Sequence, residues 1–314
     1  MSSNLVRTPL PYLALVTTHL IWGANFVIAK ITLNEFPVMS LAFARFFLAI
    51  ILLLPFLLTL DKKQRSIKLK HLFLIFSVGL LMVTFNIALF YEGLLRTEAI
   101  TASVLTLIIP ILSVLGSWLF LKEKIYSVNF LGILIGFLGT LIILGLPILF
   151  VGSLKTNTLI GNLLIVLSSV SFVAGSILSK RIIHIYHPLI VPASLFLTGA
   201  ATFFIPALLE YLKDPTWISH VSILGILGLI YISVFSSVVA YFLLSWGLSK
   251  IEVVQANLFS YMEPAVASTF AVLLLGERIS YSFILGTCLV VLGVYWGTLG
   301  KNYHHHLHHR SHRI

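Results

Sequence analysis

The stretch NLFSYMEPAVASTFAVLLLGERI, residues 257–279, is apolar enough to cross a membrane, yet Glu263 lies in its middle. A charged side chain in the hydrocarbon core costs about 2.5–3.5 kcal/mol on insertion scales, so such residues usually face a cavity or a partner. Two roles are open for Glu263. It binds a cationic group or accepts a proton, or it is a protonated or hydrogen-bonded side chain that fixes helix packing.

Other polar and aromatic side chains within apolar stretches are candidates for the same site. Arg45 would pair with a substrate carboxylate, with Glu263 or with Glu92, or would extend to the interface, as Lys30 is expected to do. Interfacial anchoring explains the aromatic candidates equally well. The predicted substrate-binding set is Trp22, Asn25, Arg45, Asn86, Tyr91, Tyr241, Asn257, Tyr261 and Glu263.

Pro110 and Pro264 each remove one backbone hydrogen bond from the middle of an apolar stretch. The carbonyls that they free, at positions 106 and 260, are tolerated in a membrane only where they face water or protein. We therefore predict kinks at both prolines, in helices that line a central cavity. On the second of these helices, Asn257, Tyr261 and Pro264 share one face at i, i+4, i+7 spacing, and Glu263 lies beside that face.

The composition places these residues in a bilayer. Of the 314 residues, 59% are hydrophobic and 10% are charged, whereas a soluble domain is about one quarter charged. A spanning helix needs about 20 apolar residues, so the chain is predicted to be an all-α integral membrane protein of ten transmembrane helices. Their approximate bounds are 10–33, 38–60, 70–92, 98–121, 128–150, 158–182, 188–211, 220–248, 252–275 and 280–299.

The distribution of basic residues predicts the orientation, because Lys and Arg gather on the cytoplasmic side. With the N-terminus inside, 14 of the 20 Lys and Arg are cytoplasmic, 5 are external and Arg45 lies within a span. Both termini are therefore expected in the cytoplasm. The cytoplasmic loops also explain the net charge of +10 without a nucleic-acid partner.

The two halves of the chain resemble each other. The segment LTLIIPILSVLGSWLFLKEKI (105–125) matches FSYMEPAVASTFAVLLLGERI (259–279) at an offset of 154, which pairs Pro110 with Pro264. An offset of 150 pairs Lys30 with Lys180. Each half holds five helices, so the second half enters the membrane from the opposite side. Such inverted repeats are typical of transporters that work by alternating access. Alternatively, the duplication merely built a stable bundle.

The predicted units are a first repeat over 1–155, a second over 156–300 and a His-rich cytoplasmic tail over 301–314. Nothing in the tail fixes a coordination geometry, so no metal site is assigned to it. The glycine spacings in the fifth and tenth helices indicate close packing or a homodimer contact. Glu263 has no counterpart in the first repeat, because Ile109 occupies the equivalent position.

With HLIWGANFVIAK (19–30), Arg45 and the paired segments P…LKEKI and MEPAVASTFAVLLLGERI, the sequence resembles the EamA family of the drug/metabolite transporter superfamily. This resemblance covers nearly the whole chain. It implies a ten-helix inner-membrane carrier with a central cavity, which mostly moves amino acids or other small metabolites, often outward.

The sequence lacks a Walker A motif and an H-E-x-x-H motif, so we expect a secondary transporter that is not an enzyme and has no cofactor. The favoured function is export of an amino acid or related metabolite, with Glu263 as the proton-coupling residue. One alternative is a carrier of a nucleotide-like or cofactor-like molecule. Another is a lipid scramblase or an intramembrane enzyme.

Overall fold

The computed structural model describes residues 9–121, 127–143, 156–275, 281, 284–293 and 295–296. Every regular element in these ranges is helical, which confirms the all-α class. Seven segments are long and apolar enough to cross a membrane. They are α1 (Leu10–Thr32), α2 (Val38–Leu58), α3 (Leu69–Arg96), the pair α4 (Ala99–Leu105) and α5 (Ile108–Gly116), α7 (Thr156–Ser179), α8 (Ile190–Lys213) and α9 (Ile223–Lys250).

The remaining predicted spans are shorter or interrupted in the described residues. The fifth corresponds to α6 (Ser127–Ile143), and the tenth to α12 (Ile284–Gly293). The ninth consists of α10 (Val253–Asn257), a 3₁₀ segment (Leu258–Met262) and α11 (Glu263–Leu275). The ends of the fifth and tenth predicted spans and the His-rich tail lie outside the described residues.

Helices α3 and α9 each contain a π-helical segment, in which the backbone hydrogen bonds join residues five apart instead of four. These segments are Leu80–Phe85 in α3 and Ile232–Val239 in α9. Residues 234–239, which lie 154 positions after Leu80–Phe85, fall within the π-helical segment of α9. The offset found in the sequence therefore also relates two uncommon backbone features.

The two prolines begin helices, whereas the sequence predicted kinks within them. Pro110 and Pro264 lie in the first turns of α5 and α11, where a missing N–H group costs nothing. The carbonyl of Thr106 accepts the N–H of Ile109 at 2.9 Å. The carbonyl of Ser260 likewise accepts the N–H of Glu263. Both freed carbonyls are therefore satisfied by i to i+3 hydrogen bonds of their own chain.

Lys30 binds the end of a neighbouring helix instead of extending to the interface. Its Nζ donates to the carbonyls of Leu94 and Thr97, at 2.7 and 2.5 Å. Lys180, its counterpart in the second half, donates at 2.7 and 2.5 Å to the two carbonyls that lie 154 residues further along. A cation at this place satisfies carbonyls that have no partner within the helix.

Replacing Lys30 with methionine is expected to lower the midpoint of thermal unfolding. The substitution removes the donor from two carbonyls, and each buried acceptor left unsatisfied costs about 1–3 kcal/mol. Thermal unfolding of the purified protein in detergent measures the change. The matched control is Lys213→Met, because Lys213 is an exposed lysine at the end of α8. Equal midpoints for the two variants would show that Lys30 does not stabilise the helix end.

Glycines bring α6 and α12 together within one chain. A Cβ atom on Gly293 would lie 2.5 Å from the backbone nitrogen of Gly136, and one on Gly139 would lie 2.7 Å from the carbonyl oxygen of Gly286. Such contacts require glycine on both helices. The glycine spacings thus serve packing inside the chain, and a homodimer through these helices stays a prediction.

Candidate functional site

A cavity lies between the helices of the two halves. Its lining combines aromatic side chains with a few polar and charged ones, the usual composition of small-molecule sites. Six of the nine predicted substrate-binding residues line it, namely Trp22, Asn25, Arg45, Asn86, Tyr241 and Glu263. The structure therefore brings together residues that are spread over most of the sequence.

A short polar contact in the cavity joins His19 of α1 to Glu263 of α11. The Nδ1 atom of His19 lies 2.6 Å from Oε1 of Glu263, and the two residues are only 1% and 4% exposed. Glu263 opens α11, where the positive end of the helix dipole favours a carboxylate. The sequence prediction omitted His19, although it precedes Trp22 by three residues and so shares a helix face with it.

Gly23 allows α1 to approach α11 closely enough for this contact. A Cβ atom at position 23 would lie 2.5 Å from Cβ of Val266 and 3.0 Å from the carbonyl oxygen of Glu263. Real Cβ atoms essentially never come as close as 2.5 Å. The absence of a side chain at position 23 therefore allows His19 to contact the carboxylate of Glu263.

Trp22 forms an aromatic wall beside the His19–Glu263 pair. Its indole Nε1 donates to the carbonyl of Ser236 at 3.0 Å, which fixes the ring. The ring meets His19, Phe172 and Tyr241 in edge contacts, with centroid distances of 5.6, 5.6 and 5.5 Å. A held indole of this kind offers an apolar surface to the uncharged part of a ligand.

Arg45 is 2% exposed, and all of its hydrogen-bond partners are neutral. Its Nε donates to Oγ of Ser237 at 2.6 Å, Nη1 to the hydroxyl of Tyr91 at 3.1 Å, and Nη2 to the carbonyl and hydroxyl oxygens of Ser236 at 3.3 Å. Within the described part of the chain no carboxylate forms an ion pair with it. Of the predicted partners, Glu263 pairs with His19 and Glu92 with Arg96.

Three predicted binding residues lie outside the lining. Tyr91 is buried behind Arg45 and accepts its hydrogen bond. Asn257 donates to the hydroxyl of Ser113 at 2.6 Å, and the hydroxyl of Tyr261 donates to the carbonyl of Ile133 at 3.1 Å. These side chains hold helices together, whereas Asn86 lines the cavity while donating to the carbonyl of Ser168.

The cavity lining contains pairs of residues at equivalent positions of the two halves. In most of these pairs one residue is larger or more polar than the other. His19 contacts Glu263, and Trp22 contacts Tyr241. The residues equivalent to these four in the other half are smaller or apolar. The lining pairs, related by offsets of 150 or 154, are His19 with Ser169, Trp22 with Phe172, Tyr241 with Ile87, Ser260 with Thr106 and Glu263 with Ile109.

A bundle of spanning helices around an aromatic cavity with buried charges has the architecture of a multi-pass membrane transporter. The chain belongs to the EamA-like transporter family, whose model matches residues 9–145 and again residues 159–298. The two matches begin 150 residues apart, which is the offset that pairs Lys30 with Lys180. Family membership, expected from the sequence motifs, is thus confirmed.

Several relatives are named only as transporters. The chain is 27% identical to the uncharacterized transporter YyaM of Bacillus subtilis (strain 168), over 90% of this chain and 92% of that protein. It is 25% identical to an uncharacterized transporter of Clostridium kluyveri, over 90% and 91% of the two chains. For the uncharacterized inner membrane transporter YedA of Escherichia coli (strain K12) the identity is 26%, over 92% and 90%.

A solved crystal structure of a protein shares the fold. It superposes with a TM-score of 0.75 at 18% sequence identity and covers 93% of this chain and 98% of its own. At that identity the likeness concerns the fold alone.

Proposed function

We propose that the protein is a secondary transporter of an amino acid or a closely related metabolite, with export as its direction. The observation that carries the proposal is the placement of two buried charged sites, Arg45 and the His19–Glu263 pair, around one cavity with Trp22 in its wall. A zwitterion with an apolar side chain matches this lining.

Alternating access is the proposed mode of transport, with the halves acting as inverted five-helix repeats. The twin contacts of Lys30 and Lys180 and the twin π-helical segments support this arrangement. Two related halves around a central site can exchange shapes, so that the site opens to either face. An inner-membrane location with both termini in the cytoplasm accords with the positive-inside count and with the name of the relative YedA.

A nucleotide-like cargo is less well supported. A phosphate-bearing molecule calls for several cations, and among the described lining residues Arg45 is the only Arg or Lys. The proposal therefore keeps the amino acid class.

Transport is proposed to be coupled to protons through Glu263. In proteoliposomes that carry the purified protein, a pH gradient is expected to drive at least one of the twenty standard L-amino acids about 10-fold faster than in protein-free vesicles. Replacing Glu263 with glutamine keeps the side-chain shape but removes the titratable carboxylate. This variant is expected to lose the response to the gradient.

The matched control is Glu92→Gln, because Glu92 pairs with Arg96 and lies outside the cavity lining. It is expected to retain the response. An unchanged rate and pH dependence in Glu263→Gln would refute the coupling role. If none of the twenty amino acids is transported, the proposed substrate class is wrong.

A further inference from the structure

The cavity contains two buried polar atoms without a protein partner. They are Nε2 of His19 and Oδ1 of Asn25, and neither has a hydrogen-bond partner within the described part of the chain. Both side chains belong to α1, both line the cavity, and they are 1% and 6% exposed. Buried polar atoms are rarely left unsatisfied in a folded protein, so these two positions indicate a place for a ligand.

Both unpartnered atoms accept hydrogen bonds. The carboxylate of Glu263 lies 2.6 Å from Nδ1 of His19, so Nδ1 carries the hydrogen and donates it. In the neutral imidazole the remaining nitrogen, Nε2, is then an acceptor. Oδ1 of Asn25 is an acceptor as well. A ligand that fills this part of the cavity must therefore donate hydrogen bonds to these two atoms.

We propose that Nε2 of His19 and Oδ1 of Asn25 form the subsite for the amino group of the substrate, with Glu263 acting through His19 as a positioning residue. An ammonium group brings three N–H donors and a positive charge, which the carboxylate behind His19 stabilises. The inference rests on the proposed function only in taking this cavity as the transport site. It assigns to His19 the contact that the sequence assigned to Glu263.

Calorimetry on the full chain in lipid nanodiscs tests the subsite with two matched probes. Phenethylamine has the amino group and an aromatic ring, and 3-phenylpropionate has a carboxylate in its place. Titrations at neutral pH give the dissociation constant of each probe. We expect phenethylamine to bind and 3-phenylpropionate to bind at least about 10-fold more weakly, because its carboxylate has no hydrogen to donate to the two acceptors.

Two substitutions of His19 separate the ligand contact from the helix contact. In His19→Asn the amide stands near Nδ1 and keeps the bond to Glu263 but loses Nε2, so the amine should bind about 10- to 100-fold more weakly. In His19→Gln the amide stands near Nε2, so part of the affinity should return. His71→Asn is the control, because His71 pairs with Tyr186 away from the cavity.

Three results would overturn the subsite. They are no binding of phenethylamine to the wild type, equal affinity for 3-phenylpropionate, and undiminished binding of phenethylamine in His19→Asn while this variant remains folded by size-exclusion chromatography. The outcome is independent of the transport assay. A protein that transports an amino acid but fails these tests retains the proposed function and loses this subsite. One that passes them but transports no amino acid retains the subsite and loses the substrate class.

Discussion

Replacing Arg45 with lysine is expected to lower the transport rate by about 100-fold, even though the positive charge is kept. The planar guanidinium donates in three directions, to Ser237, Tyr91 and Ser236, and so joins α2 to α3 and α9. One ammonium group cannot reach all three places. Each lost hydrogen bond to a charged group is worth about 1.5–3 kcal/mol, so two losses account for a change of this size. Initial rates in proteoliposomes measure it.

The matched control is Arg96→Lys. Arg96 also carries a guanidinium, but it pairs with Glu92 one helical turn away, and both side chains are partly exposed. Such pairs contribute little, and transport should stay within about 2-fold of the wild type. A wild-type rate in Arg45→Lys would mean that the site needs only a positive charge.

Replacing Gly23 with alanine is expected to separate α1 from α11 and to reduce transport by about 100-fold. The added methyl group would lie 2.5 Å from Cβ of Val266, so one helix must move. Overpacking of this kind typically costs about 1–3 kcal/mol of stability. It would also stretch the 2.6 Å contact between His19 and Glu263. Thermal unfolding and proteoliposome transport measure the two effects.

A compensating change at Val266 distinguishes this clash from a general loss of fold. The double variant Gly23→Ala with Val266→Gly moves the glycine from α1 to α11 and removes the closest contact. Glycine within a helix costs about 1 kcal/mol, so stability should recover in part, whereas transport should recover more. Equal defects in the single and double variants would rule out this contact as the cause.

The sequence predicted the membrane class, the likeness of the two halves and six of the seventeen lining residues, because these depend on composition, on the internal match and on polar residues within apolar stretches. It did not predict the pairing of His19 with Glu263, since those residues are 244 positions apart. Only the packing of α1 against α11 unites them. Gly23 is the local sign of that packing, and a single sequence does not say which helix a glycine approaches.

The face of the ninth span that was predicted to line the cavity differs from the observed one, because part of the span is a 3₁₀ helix. The sequence placed Asn257 and Tyr261 on the cavity face by α-helical spacing, with Glu263 to one side. The intervening segment Leu258–Met262 is a 3₁₀ helix, which turns about 120° per residue instead of 100°. Over five residues the difference amounts to about 100°. Glu263 therefore enters the cavity, and the other two side chains pack against neighbouring helices.

The π-helical segment of α9 makes the alignment of that helix adjustable in single-residue steps. A π bulge holds one residue more than an α-helical turn, and Ser236, whose carbonyl binds both Trp22 and Arg45, lies inside it. Deleting one residue there would restore regular α-helix, and the flanking turns, including the one that carries Tyr241, would keep their orientation. A change of one residue in this segment would thus move the carbonyl that Trp22 and Arg45 share while both ends of the helix stay in place.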